Sequence, residues 1–511
     1  MSVSDQKPSV RILRNSIWYG LETVIEIVVF FASSIAVARY LGPEKLGHFS
    51  YINFFVVVLT QTAGQGVSVA TRKYMMEFMA QGRLGTARAV YRLAYRYQLI
   101  GAISISTLSI LLVVLFGDPS YKAMAIILLA SIVPGLMSWV PAQANAAFED
   151  LRPNTFSAFG YLISYALVIA ATIYFRWDLI GIASATLVGR TVEVILRTGP
   201  VRRRLSVLPL DVLEPELIQR IRRFSVQGIG LQLLTTVVWD RSELIFLKYF
   251  STAAQMAFYS VSFTFTSNLL TAARVLSGAA SISLMGESGR DSDRTRQLAW
   301  STCRFLLLMS VPVSLGAAAV TFSGIQMAYG GRYLPAVPVL ITAVLLGIPR
   351  IFQGVPETLL RSADRQDVII YWYCVTAVFN GLVDWILIPR YAALGAAWGN
   401  GLGQAFGVVV IWMACSRVIR LNFPWMAALR IGGASVVMAA LAYFISHHVP
   451  GAPGFFLAVL SGCVIYPVLL RLFRALEPHD RERLALIGNR LPRAITPAFE
   501  AVIAFMTPAS A

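Results

Sequence analysis

Asp240, Arg241 and Glu243 fall within four consecutive positions of the stretch TTVVWDRSELIFLKYF, residues 235–250. Its flanks are apolar enough to lie in lipid. A charge at the bilayer centre costs at least ~3 kcal/mol, so such a group normally faces a water-filled cavity or a partner. Read as one continuous helix, Asp240 and Glu243 share a face at i,i+3, and Arg241 points about 100° away. Arg241 then meets another helix or an anionic ligand rather than its sequence neighbour. Guanidinium forks grip phosphate oxygens bidentately and stay charged at any pH. The cluster therefore reads either as an interhelix ion pair or as the lining of a cleft that serves a substrate or a coupling ion.

Other polar residues in apolar runs extend this set. Glu22 and Glu26 are spaced i,i+4. Two like charges on one face repel, so they need a cation, a proton or an arginine. Glu22, Glu26, Asp240 and Glu243 are thus candidates for a coupling ion. Asn53, Gln61 and Gln65 form a polar stripe suited to sugar hydroxyls or to interhelical hydrogen bonds, with Asn268 as a rough counterpart. Arg274 adds a second guanidinium. Arg190 and Glu193 are i,i+3 and read as a structural pair. Arg304 and Arg350 are weaker candidates, and Glu357 and Asp384 are placed near helix ends, where water would solvate them. Gly395, Gly399, Gly403 and Gly407 recur every fourth residue, a close-packing helix face without chemistry of its own.

The elements that must position these groups follow from composition. The chain of 511 residues is 57% hydrophobic and 14% charged, with a mean hydropathy of +0.66. A soluble protein would carry roughly a quarter charged residues. Apolar runs of about 20 residues match the bilayer, and ten-residue alternating segments of a barrel are lacking. The expected class is an all-α polytopic membrane protein with fourteen spans. Cys303, Cys374, Cys415 and Cys463 lie in apolar runs without metal-ligand spacing, and the four histidines form no metal motif. No nucleotide loop, nucleophile elbow or zinc motif is present, so neither a metal nor a cofactor is expected.

The net charge of +17 would suggest nucleic acid in a soluble chain. Membrane topology explains it instead. With the N-terminus inside, the outer loops hold only Arg39, Lys45, Lys122, Arg176, Lys248, Arg332 and Arg390. Most of the 43 basic residues fall inside, including Arg202–Arg204 and Arg222–Arg223. This is the positive-inside pattern. Both termini are therefore expected in the cytoplasm, with anionic lipid headgroups rather than nucleic acid as the partner of the basic surface.

A weak internal repeat sets the organisation. ARYLGPEKLGHFSY (38–51) aligns with LKYFSTAAQMAFYS (247–260), placing Arg39 on Lys248, Tyr40 on Tyr249 and Phe49 on Phe258. YFRWDLIGIASA (174–185) aligns with IPRYAALGAAWG (388–399) in nearly the same register. Six spans per half is an even number, so the halves are parallel repeats related by a pseudo-two-fold along the membrane normal. The expected units are an N-terminal bundle at 1–197, a cytoplasmic linker at 198–223 and a C-terminal bundle at 224–417. Two extra helices follow at 418–474, then a cytoplasmic tail at 475–511.

ARYLGPEKLGHFSY, WDRSELIFLKYF and the LGAAWG turn together resemble the polysaccharide flippase branch of the multidrug/oligosaccharidyl-lipid/polysaccharide exporter superfamily. The chain is similar to O-antigen repeat-unit flippases over about residues 16–417. The second copy departs from the pattern, with Met256 opposite Gly47. The resemblance implies a V-shaped cavity lined by spans 1, 2, 7 and 8, and a lipid-tail groove formed by spans 13 and 14. It implies that an undecaprenyl-pyrophosphate-linked oligosaccharide moves from the cytoplasmic to the periplasmic leaflet of the bacterial inner membrane. Arg241, Arg274, Asp240, Asn53, Gln61, Gln65 and Asn268 would then contact substrate. Membrane lipids, a polysaccharide polymerase and export machinery are the expected partners. A lipid II flippase or a multidrug exporter shares the fold. A polymerase or ligase would need a large outer loop, and the longest here is about ten residues.

Overall fold

The computed structural model describes residues 8–271, 292–419 and 421–476, together with 497, 501 and 504–506. Among these the chain is all-helical, with short 3-10 turns. Hydrocarbon offers no water to backbone N–H and C=O groups, so each crossing must satisfy them within itself. Among the described residues, ten helical stretches are long and apolar enough to cross a membrane. Two of them, 28–80 and 366–418, run 53 residues each. At 1.5 Å per residue that is about 80 Å, enough for two crossings of a ~30 Å core.

Both long stretches contain one non-helical residue. In α1 (Pro8–Ala80) it is Gly42, at φ 74° and ψ 171°, followed by Pro43. That backbone geometry belongs to glycine, and proline withholds the next N–H. The region expected as an outer loop is thus two helices meeting at a single residue. A Cβ on Gly47, just beyond, would lie 1.8 Å from the Ala253 carbonyl oxygen, so the two backbones touch.

The chain divides into two compact units. The first comprises Met1–Lys248 and Thr252–Ala257, the second Tyr249–Ser251 and Phe258–Ala511. In the first unit α1 packs against α2 (Leu84–Phe116), α4 (Ile132–Ala147), α5 (Arg152–Phe175) and α7 (Pro215–Trp239). α3 (Lys122–Ala130) and α6 (Asp178–Ser206) also belong to this unit. One hydrophobic cluster ties the arginine-rich end together. It joins Tyr74, Met75 and Phe78 of α1 to Val90 of α2, Val140 and Ala144 of α4, Val201 and Leu205 of α6, and Ile221 of α7. Between α6 and α7 only residues 207–214 are non-helical. They are strapped onto the start of α2: the Thr86 hydroxyl donates to Asp211 at 2.8 Å, and Arg88 donates to the Leu208 carbonyl.

In the second unit α10 (Ser292–Ala328) carries the last two helices, α14 (Trp425–His448) and α15 (Gly451–Leu472). The Ser323 and Ser446 hydroxyls meet at 2.6 Å, and the Tyr466 hydroxyl donates to the Leu308 carbonyl at 3.0 Å. α11 (Ala336–Leu346) packs on α13 (Gln366–Val418), and α12 (Gly354–Ser362) follows α11 after a 3-10 turn.

Candidate functional site

The stretch carrying Asp240 and Arg241 is not helical. α7 ends at Trp239, Asp240 adopts an extended φ of −103° and ψ of −167°, and α8 (Glu243–Phe250) starts three residues on. This corrects the expectation that Asp240 and Glu243 share one helical face. The Asp240 N–H still closes the last turn of α7 on the Thr236 carbonyl at 2.9 Å. Leu244 N–H and Ile245 N–H return to the Arg241 and Ser242 carbonyls at 3.1 Å each. Glu243 is fully buried in the first turn of α8, where the positive end of the helix dipole favours a carboxylate. Asp240, Arg241 and Ser242 are half-buried.

The second half of α1 runs antiparallel to this broken helix, held at two points. At one end Lys248 lies 5.8 Å from the centre of the Tyr51 ring. At the other, a Cβ on Gly66 would lie 2.4 Å from the Ser225 carbonyl oxygen, so α1 and α7 touch through their backbones. Asn53, Gln61 and Gln65 lie between these pins, each half-buried. The stripe and the helix break are thus on neighbouring segments of one unit. Asn268, also half-buried, lies on α9 (Ala253–Leu269) in the second unit. Arg274 and the Glu22 and Glu26 side chains lie outside the described residues.

Four further groups of buried or half-buried charges have defined partners. Arg190 meets Glu193 at 2.9 Å, the pair expected from their spacing. Arg197 also meets Glu193 at 2.9 Å and donates to the Ser157 hydroxyl at 2.9 Å. Its i,i+4 spacing from Glu193 was the available signal. Asp384 is fully buried, not solvated at a helix end, and accepts a hydrogen bond from Asn380 at 3.2 Å. The glycine stripe covers this pair. A Cβ on Gly399 would lie 2.0 Å from Asp384 Oδ1, and one on Gly403 would lie 2.2 Å from Asn380 Oδ1. Arg304 is buried, reaches the Ala475 carbonyl at 3.2 Å and sits 4.7 Å from the Trp300 ring centre. Glu357 accepts from Tyr373, Gln353 and Arg361. Among the described residues no group of three His, Cys, Asp or Glu side chains could hold a metal.

A broken span of this kind does chemistry that a continuous helix cannot. It presents a carboxylate, a guanidinium and two half-helix ends where a continuous helix keeps its backbone dipoles internal. Discontinuous helices with polar groups at the break are how helical transporters build ion and anion sites.

Comparisons with known proteins agree with this architecture. The family described as "Polysaccharide biosynthesis protein" matches residues 36–338. Teichuronic acid biosynthesis protein TuaB of Bacillus subtilis (strain 168) is 25% identical over 119 residues, 23% of this chain. That alignment spans a quarter of the relative's length. The lipid II flippase MurJ in an inward closed conformation superposes with a TM-score of 0.73 at 13% identity, covering 89% of this chain and 98% of that one. An inward-facing multidrug resistance MATE family transporter gives 0.63 at 14% identity, over 77% of this chain and 94% of that one. These likenesses establish the fold. The chain belongs to the polysaccharide biosynthesis protein family and has the fold of the multidrug/oligosaccharidyl-lipid/polysaccharide exporter superfamily.

Proposed function

We propose that this protein is a flippase that carries an undecaprenyl-pyrophosphate-linked oligosaccharide from the cytoplasmic to the periplasmic leaflet of the inner membrane by alternating access. The observation that carries the reading is the break at Asp240–Ser242, which puts a half-buried Arg241 at the interruption between α7 and α8. A pyrophosphate needs such a fixed cation to enter a low-dielectric region. The polar stripe Asn53, Gln61 and Gln65 takes sugar hydroxyls, and Asn268 and Arg274 extend the same role in the second half. Asp240 and the buried Glu243, with Glu22 and Glu26, carry the coupling ion. The two six-span bundles alternate about the cleft, and the arginine-rich end faces the cytoplasm together with both termini. The family match and the transporter fold support this role, and they support transport rather than catalysis.

The test is a strain lacking the gene. Its undecaprenyl-linked oligosaccharides are extracted and weighed by mass spectrometry. Complete lipid-linked units accumulate while surface polymer is lost, and their mass names the sugar. Short polymer, or no lipid-linked unit, would move a polymerase or ligase to first place. Unchanged polysaccharide would remove the proposed role.

A further inference from the structure

One basic cluster of the first unit has no part in the proposed route. It lies where the exposed face of α2 changes from charge to hydrocarbon. Arg92, Arg96, Ile100 and Ile103 follow one another at helical spacings of four, four and three, so they share a face, and all four are exposed. Further along, Leu108 and Leu111 keep that face exposed and apolar. α2 is one of the membrane-length stretches, so this face meets lipid. With Ile100 at the edge of the hydrocarbon, Arg96 lies about 6 Å and Arg92 about 12 Å outside it along the helix axis. The headgroup layer is about 5–8 Å deep on each side of the bilayer. Arg96 therefore stands within it, and the long Arg92 side chain reaches its outer edge.

α6 repeats the change. Ile195 and Arg202 are both exposed and lie two turns apart on one face. α3 and α4 each pack on both α2 and α6, so the two helices border a common surface. The Arg202 guanidinium stands 6.0 Å from the centre of the Tyr95 ring on α2. The buried Tyr91 ring stacks on Tyr95 at 5.8 Å and fixes it. Tyr95 is three residues from Arg92 and next to Arg96, so Arg202 joins the α2 arginines along one border of the exposed face. Nearby arginines are already held: Arg204 by Asp150, Arg220 by Glu77 and Arg88 by the Leu208 carbonyl. Among the described residues Arg92, Arg96 and Arg202 meet no carboxylate.

We propose that Arg92, Arg96 and Arg202 form a binding site for an anionic phospholipid. Their guanidinium groups hold its phosphate, and an acyl chain lies along the apolar faces of α2 and α6. Guanidinium forks match phosphate oxygens in geometry and in charge. A soluble anion would use the charges and leave the apolar face uncovered. A zwitterionic headgroup brings its own cation against three others, so the site prefers a lipid of net negative charge. The site lies on α2 and α6, apart from the α1 and α7 segments assigned to substrate.

The test uses the full chain purified in detergent, with phosphatidylglycerol or phosphatidylcholine titrated in and bound lipid counted by native mass spectrometry. Wild type retains one phosphatidylglycerol at least about tenfold more tightly than phosphatidylcholine. The triple variant Arg92→Gln, Arg96→Gln, Arg202→Gln loses that preference. A control triple, Arg72→Gln, Arg222→Gln, Arg223→Gln, removes the same charge from exposed positions of α1 and α7 and keeps it. Should the first triple not fold, Arg92→Gln with Arg96→Gln, which leaves the Arg202–Tyr95 contact in place, decides the matter by losing most of the preference. An equal loss in both triples would mean diffuse attraction to a basic surface and would overturn the site, as would an unchanged preference in the first. Tighter retention of undecaprenyl pyrophosphate than of phosphatidylglycerol would hand the cluster to the substrate instead. None of these readouts requires transport, so they stand or fall separately from the flippase reading.

Discussion

Arg197 and Glu193 sit one turn apart on α6 and meet at 2.9 Å, with side chains only 10% and 8% exposed. Arg190, 37% exposed, holds the other carboxylate oxygen at 2.9 Å. One carboxylate thus compensates two guanidinium groups. Glu193→Gln removes the shared carboxylate, and removing one partner of a buried pair costs about 3–5 kcal/mol. The expected result is a clear fall in the unfolding temperature of the purified protein. Arg190→Gln, which leaves the Arg197 pair intact, falls much less. Equal losses would mean that Arg190 is the structural partner.

Gly399 and Asp384 make a second sharp case. Because a Cβ on Gly399 would lie 2.0 Å from Asp384 Oδ1, Gly399→Ala must displace the buried Asp384 carboxylate from its place beside Asn380. Overpacking of this kind costs about 1–3 kcal/mol. Gly381→Ala in the same helix meets nothing within 4 Å. It gains about 0.5–1 kcal/mol from helix propensity. Thermal unfolding of the pair, run side by side, separates packing from propensity by sign.

Gly42 holds the turn between the two halves of α1 at φ 74°. Gly42→Ala places a Cβ in a region that L residues rarely adopt, at about 1–3 kcal/mol. Gly230→Ala, at an open position of α7, lacks that strain. Loss of stability in the first variant alone is the predicted pattern, read by unfolding in detergent.

Arg241 is predicted to matter for export rather than for folding. Arg241→Ala abolishes surface polysaccharide while the protein remains in the membrane, and Arg241→Lys restores part of it. Lysine keeps the charge but loses the bidentate fork. Normal polysaccharide in the alanine variant would remove the substrate role from this residue.

Much of this architecture is legible in the chain itself. Runs of about twenty apolar residues announce crossings because lipid leaves no alternative, and the recurring glycines of α13 announced a packing face. The pairing of Arg190 with Glu193 followed from spacing alone. The break at Asp240 did not follow. Nothing in WDRSE is a glycine or a proline, so hydropathy reads straight through the point where α7 stops. Hydropathy also gives depth but not direction. Asp384 therefore looked solvated when it is enclosed under Gly399, and the span read as ending at Arg197 continues as α6 to Ser206. Which polar residues share a neighbourhood depended on the close approach of α1 and α7 at Gly66, a contact between residues far apart in sequence.

The most direct measurement reconstitutes the full-length protein into liposomes with an undecaprenyl-pyrophosphate-linked oligosaccharide confined to the inner leaflet. Arrival at the outer leaflet is followed with a membrane-impermeant glycosidase. The account predicts protein-dependent exposure of the sugar and a loss of at least about tenfold in rate for Arg241→Ala, the equivalent of one 1.4 kcal/mol interaction in the barrier. Exposure at the protein-free rate, or an unchanged rate in the variant, would contradict it.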